Sequence, residues 1–480
     1  MNLQDRVALL KHIGGIILLL GFVFCAATVL HAGGAKVEAT GYVRVEQIDG
    51  VWWFIDADGM PFVSTGVNHI EPHLWLAPYN KDETLRKYGQ DMVNEHGYFD
   101  TTSKAARKWI NRQVEICRDL NFNTWGRHTH PAIDPKLYMD QVYFIVSMQS
   151  APLAGWRERN GEGPRPDVFS RDFEIFLEER IKDTCLKYKD SKKLLGYLYT
   201  DIPSWVLGKA DQKARDDTVM IYPWINAILP LGESSPGKWK WVDHLRTRYE
   251  SPEEVARTWG LPVSQTYGIS WYKLTRLIDW FQPADPVRAG DDMKSFMYQI
   301  ADQWYGLHHS LIRKYDPNHL ILGDKNGITW HYEWVLPALK KYVDVVTVQA
   351  YNRWEIDGKT AERIYQATGK PIYNGDGSHS FVNEHQLELG TKGFRTGAKN
   401  YSDVAVLYKE TMEAMMDDPH IIGWHHCGFL QQWDAAERGD SPRNENGFLD
   451  PFENYITEWT DVIRDVNERA SSLHANSNGN

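Results

Sequence analysis

The 480-residue sequence predicts a (β/α)8 barrel of the α/β class, a TIM barrel with one long insertion after its fourth strand. Three observations predict it. Eight short apolar runs recur along the chain, each followed by a helical pattern or a long loop. The runs end in polar, aromatic or glycine residues, as strands do when their C-terminal ends open on a working face. No internal repeat or low-complexity linker divides the chain.

Taken in order, residues 36–60 read as a β entry, with Asp49-Gly50 and Asp58-Gly59 as turn signals. The first barrel strand is Pro61 to Val67 and ends in Asn68-His69. A helix from Ser103 to Leu120 carries Ala106, Ile110, Val114 and Cys117 at helical spacing. The second strand, Asn121 to Trp125, ends in Gly126-Arg127-His128-Thr129-His130. The third is Val142 to Ser147, before a Gly/Pro/Arg-rich loop from Ala151 to Asp167. Ser170 is placed to cap a helix whose buried face is Phe173, Leu177, Ile181 and Cys185.

The fourth strand, Leu194 to Tyr199, ends in Thr200-Asp201, and the insertion follows over about 206–292. A helix from Met293 to Tyr315 has the core stripe Phe296, Ile300, Trp304, Leu307 and Leu311. Strand five is Leu320 to Gly323, ending in Asp324-Lys325-Asn326. Strand six, Val343 to Val348, leads to Tyr351 and Arg353. A helix around Ala361 to Ala367 precedes strand seven, Pro371 to His379, where Gly375 and Gly377 flank Asp376. The helix from Ser402 to Met416 leads to strand eight, Ile421 to Trp424, then His425-His426. A last helix, Tyr455 to Val466, closes the unit, so the barrel domain spans 34–469 and a disordered polar tail is expected over 470–480.

Composition narrows the partners. A formal net charge of −11 disfavours broad attraction to nucleic acid. The 20 Trp and 24 Tyr supply flat faces with polar edges, suited to cores and to stacking on sugar rings. At the N-terminus, Arg6 and Lys11 precede an apolar run over 13–30, so residues 1–33 are expected to be a cleaved signal peptide or a membrane anchor. An exported protein follows, periplasmic, secreted or anchored. Cys117 and Cys185 fall on apolar helix faces and are expected as buried free thiols.

In such a barrel every strand delivers its last residues to one mouth. Asp201 and Asp376 are the candidate catalytic pair: one carboxyl protonates a leaving glycosidic oxygen, the other attacks carbon or activates water. The candidate substrate-binding residues are Asn68, His69, Arg127, His128, His130, Lys325, Asn326, Trp330, Tyr351, Arg353, His379, Trp424 and His425. Asp324 and Glu333 are alternative acids. His128, His130, His425 and His426 also raise a metal-dependent hydrolase or lyase, though hydrogen bonding to sugar hydroxyls is the preferred reading, with no metal and no cofactor.

Several segments carry a family likeness. They are Trp53-Phe54-Ile55-Asp56-Ala57-Asp58-Gly59, Gly196-Tyr197-Leu198 leading to Trp205, Ser235-Pro236-Gly237-Lys238, Gly423-Trp424-His425, and Asn446-Gly447-Phe448-Leu449-Asp450. Through them the chain resembles clan A glycoside hydrolases over roughly residues 50–465, most closely the β-agarases of glycoside hydrolase family 50. The resemblance implies a glycoside hydrolase acting on an algal galactan (agar, porphyran or carrageenan) or its oligosaccharides. It also implies a Glu acid/base, preceded by Asn, at the end of strand four and a Glu nucleophile at the end of strand seven. Asp376 falls on the nucleophile position, one methylene shorter. Asp201 falls on the Asn and Ile202 on the Glu, so the usual acid is missing. An Asp/Asp pair with a gap wide enough for an inverting water is the reading carried forward, against a non-catalytic glycan-binding relative.

Overall fold

The computed structural model describes residues 36–129, 133–148, 165–201, 205, 222–262, 267–280, 282–328, 333–381, 397–432 and 447–477. The apolar run at 13–30 and the candidates His130 and Trp330 lie outside these residues. Among the described residues, no helix is long and apolar enough to cross a membrane.

Eight parallel strands close a barrel in sequence order: β4 (Ser64–Val67), β5 (Thr124–Trp125), β6 (Tyr143–Ser147), β7 (Leu194–Asp201), β8 (Leu320–Gly327), β9 (Val346–Gln349), β10 (Ile372–Gly377) and β11 (Ile421–His426). β11 pairs back onto β4 through Gly423–Ser64 to His426–Val67, which removes every edge. Helices form the outer layer. One of them starts at the expected hydroxyl cap, Ser170 accepting from the Phe173 amide, and Ser103 caps another by accepting from the Ala106 amide. Cys117 and Cys185 are buried free thiols.

Three expectations shift. Pro61–Phe62 does not open the barrel strand. It pairs antiparallel with β2 (Val51–Ile55), itself paired to β1 (Arg44–Ile48), as β3 of a separate three-stranded sheet. The long helix begins at Pro286 rather than Met293, because Asp285 caps it by accepting from the Arg288 amide. The last helix runs from Thr457 to Ala475, through the start of the expected tail, because Ala470 and His474 are buried and His474 Nε2 meets the Trp52 carbonyl at 2.7 Å.

The small sheet floors the barrel. Phe54 stacks on Phe62 at 5.6 Å and meets Tyr373 edge-on at 6.4 Å. Above it lies an apolar layer that includes Leu195, Leu198, Leu322, Val345 and Ile422. Higher still is a polar layer, where His425 stands between Ser64 Oγ (2.8 Å) and the Tyr373 hydroxyl (2.6 Å). Two glycines make room for that ring: a Cβ on Gly66 would lie 2.2 Å from His425 Cδ2, and one on Gly126 would lie 2.4 Å from its Nδ1. This packed column supports the mouth.

Candidate active site

The mouth is built around one lysine. Lys325, buried on β8, reaches Asp201 Oδ1 on β7 at 2.9 Å and also bonds Asp376 Oδ2 on β10. Asn68, at the end of β4, donates from Nδ2 to Asp376 Oδ1 at 2.9 Å and to the Gly375 carbonyl at 3.0 Å. Arg127 Nε lies 3.5 Å from Asp201 Oδ2, and His128 Nε2 lies 3.4 Å from the same oxygen. One hydrogen bond, to Asp376, and one ion-pair contact, to Asp201, at a single nitrogen hold the nearest carboxylate oxygens no more than roughly 6 Å apart.

Electrostatics follow from this packing. Burial works to raise both aspartates, but for Asp376 the attraction of Lys325, then of His128 and His69, outweighs it. The group is held below the ordinary carboxylate range. For Asp201, Lys325, Arg127 and the hydrogen bond from His128 outweigh burial in the same way. Burial lowers Lys325, yet the two carboxylates more than reverse that and keep it an ammonium. The free site therefore holds two carboxylates and no carboxylic acid.

Beside it stand two stacked imidazoles. His69 and His128 lie 4.4 Å apart with planes 6° from parallel. Both have left-handed backbone, φ 64° and φ 67°, which costs a non-glycine residue of order 1 kcal/mol and concentrates at functional sites. His69 Nδ1 meets Glu71 Oε2 at 2.9 Å, and Cys427 hydrogen-bonds both His69 and Tyr351. Burial lowers His69, but Cys427 and Glu71 carry it up to about 10. His128 is pushed down to about 4 by burial and by the neighbouring His69.

A base raised on folding binds more protons in the native state between the two values, so its stabilisation is complete below about 6.5 and fades as pH rises toward 10. The stability gap between the parent and His69→Gln is expected to shrink over that window. Urea unfolding at pH 6, 8 and 10 checks it, and a gap that grows with pH contradicts it.

Of the expected site residues, Asp201, Asp376, Asn68, His69, Arg127, His128 and Lys325 converge, with Tyr351 beside them. Five others do not. His425 is inside the barrel, held at both ring nitrogens and fully buried. Trp424 turns outward and stacks on Tyr408 of the helix Tyr401–Met416 at 4.9 Å. His379 is buried and bonds Thr411 on that helix at 2.9 Å. Arg353 sits at the surface, 3.6 Å from Glu410. Asn326 turns to the Asp324 carbonyl (3.0 Å) and Tyr305.

The alternative acids fall away as well. Asp324 is fully buried against the helix layer, accepting from Thr200 Oγ1 at 2.8 Å and Trp304 Nε1 at 2.9 Å. Glu333 pairs with Lys294 at the surface, 2.8 Å away. The strand-end histidines also part company: His128 is at the mouth, while His425 and His426 are buried in different layers. Among the described residues no three His, Cys, Asp or Glu side chains gather as a metal site.

Sequence reasoning missed Glu71, Cys427 and Gln349. Glu71 follows His69 by two residues, a local signal that was available. Gln349 ends β9, and its Oε1 is buried without a hydrogen-bond partner, as are Asn68 Oδ1 and Arg127 Nη1. Such unspent polar atoms at a mouth are what ligand hydroxyls satisfy.

No family model matches the chain. Among curated proteins it is similar to β-agarase B of Vibrio sp. (strain JT0107), 21% identical over 87% of this chain and 47% of the relative. It is also similar to β-agarase A of that strain, 20% identical over 87% and 44%. The chain thus spans about half the length of the curated relatives it matches. A solved exo-β-agarase superposes with a TM-score of 0.70 at 20% identity, covering 92% of this chain and 67% of that one. PfGH50B superposes at 0.68 and 20% identity, over 92% and 68%. The structural likeness is one of fold, and with the curated relatives it bears out the agarase resemblance read from the sequence.

Proposed function

We propose that this chain is a glycoside hydrolase acting on an agar-type galactan or its oligosaccharides, with Asp376 as nucleophile and Asp201 as acid/base. One observation carries the reading: two buried carboxylates, on strands whose ends face one mouth, flank a single point now held by the Lys325 ammonium. Substrate enters at that point. Asp376 forms a bond to the anomeric carbon as the glycosidic bond breaks, and Asp201 gives its proton to the departing oxygen. Water then attacks the same carbon, Asp201 takes its proton, and Asp376 is released.

The spacing favours retention. Oxygens no more than roughly 6 Å apart fit the separation of about 5–5.5 Å for retaining enzymes better than the 6.5–9.5 Å of inverting ones. The anomer of the first product decides between retention and the inverting expectation. Asp201 needs a proton before it can act, and Lys325 withholds one in the free site. A sugar ring entering between the carboxylates separates Lys325 from Asp201 and removes the strongest attraction that keeps it charged, so burial weighs more heavily against the remaining Arg127 and His128.

A second reading rests on the same contact: if Lys325 keeps its place, the mouth binds glycan without cleaving it. The test is incubation with agarose, porphyran and carrageenans and with oligosaccharides of each. Proton NMR of the fresh products is expected to show the anomer of the substrate linkage. The opposite anomer overturns retention, and binding without products from any of them overturns the hydrolase reading.

A further inference from the structure

The insertion carries a braced pair of aromatic rings. Trp239, on the helix Pro236–Arg246, and Tyr272, on the helix Trp271–Arg276, have ring centroids 6.0 Å apart and planes 38° from parallel. They are 39% and 50% exposed, and Trp239 is the one exposed tryptophan among the described residues. Every other described indole is buried or half-buried, so this one needs a reason.

Both polar edges are held by one residue. The Trp239 Nε1–H donates to the Glu233 carbonyl at 2.7 Å, and the Tyr272 hydroxyl donates to Glu233 Oε2 at 2.6 Å. Arg276 Nε fixes the same carboxylate at 3.3 Å. Surface aromatics free to rotate lose entropy when a ligand orders them, whereas rings braced at their edges are already set. The edge atoms are spent on Glu233, which leaves flat carbon toward solvent beside a carboxylate and a guanidinium.

We propose that the Trp239–Tyr272 platform is a second carbohydrate-binding surface that stacks successive pyranose rings of a galactan chain. A pyranose offers an apolar C–H face with hydroxyls at its rim. That matches ring faces bordered by Glu233 and Arg276. Two rings are far too small for a stable protein partner, which buries about 800 Å² on each side. A chain of net charge −11 is a poor scaffold for nucleic acid. The saccharide class follows from the rings, and the choice of galactan rests on the function proposed above.

Affinity electrophoresis through gels containing soluble agarose, porphyran or κ-carrageenan tests it, using the full chain with Asp376→Asn so that no polymer is cut. Adding Trp239→Ala or Tyr272→Ala is expected to weaken retention roughly three- to tenfold, and Trp239→Phe to restore most of it. In the active parent background, the same substitutions should leave turnover of a short oligosaccharide unchanged. Unaltered retention in both alanine variants overturns the platform, even if the enzyme hydrolyses galactan. Retention that depends on Trp239 in a chain that cleaves nothing supports the platform and sinks only the hydrolase reading. Thermal melting of each variant identifies any retention lost through unfolding, and Tyr272→Phe, which keeps the ring face, then decides: parental retention there supports stacking.

Discussion

Asp376→Asn is expected to lower galactan hydrolysis by on the order of 10⁴-fold or more while leaving the barrel folded. The amide keeps the size of the carboxylate and an oxygen for the Asn68 donor, so binding should survive. It removes the negative charge and with it the attacking group. Asp201→Asn should behave differently. A residue that only moves protons contributes about 10²- to 10⁴-fold, and the loss depends on how much the leaving group needs its proton. An aryl galactoside with an acidic phenol should lose little in Asp201→Asn, whereas an oligosaccharide should lose most of its turnover. Equal losses on both substrates would remove Asp201 from the acid role. Wild-type hydrolysis left intact in Asp376→Asn would remove strand seven from the chemistry altogether.

The largest effect on stability is expected outside that constellation, at Glu453. Its carboxylate is buried in the segment before the last helix, and its backbone is left-handed with φ 67°. It accepts from Trp75 Nε1 at 2.6 Å, the Tyr88 hydroxyl at 2.6 Å and Gln113 Nε2 at 2.9 Å, and it also bonds Lys87. One side chain thus ties the segment after β11 to the helices Lys81–Tyr88 and Lys104–Asp119. Glu453→Ala strands these donors and should cost about 3–5 kcal/mol. Glu453→Gln keeps one acceptor and should cost less. Urea unfolding midpoints of the two variants check the order, and an alanine variant as stable as the glutamine one contradicts the assignment.

How much of this was legible in the sequence depended on which side of a strand a residue faces. Barrel, strand order and the arrival of Asp201 and Asp376 at one mouth followed from apolar runs and their polar ends. Side was harder, because residues alternate across a strand and an irregular step resets the alternation. β10 shifts register between Asn374 and Asp376, and β7 shifts between Leu198 and Asp201. Trp424 and His425 are adjacent, yet one packs outward on Tyr408 and the other fills the barrel. Both were expected at the mouth. On β8, Lys325 points in while Asp324 and Asn326 point out, so only the first reaches the mouth where all three were expected. Lys325 was legible as a cation at the mouth. Its seat between two carboxylates was not, since the partners come from strands 124 and 51 residues away. Glu453 gave no signal at all, because its partners lie more than 300 residues upstream.

The small sheet under the barrel also fixes where the working unit can begin. A version started at Ser64 would keep every barrel strand and every mouth residue. It would also uncover Leu195, Leu198, Leu322 and Ile422, which now rest behind Phe54 and its neighbours. An open apolar floor of that kind is a self-association surface, so the shortened protein should precipitate or form oligomers with its mouth intact. Residues 41–62 therefore belong to the barrel as its lid against aggregation, and the boundary for any shortened protein lies before Tyr42, whose ring packs on His319 at 5.1 Å.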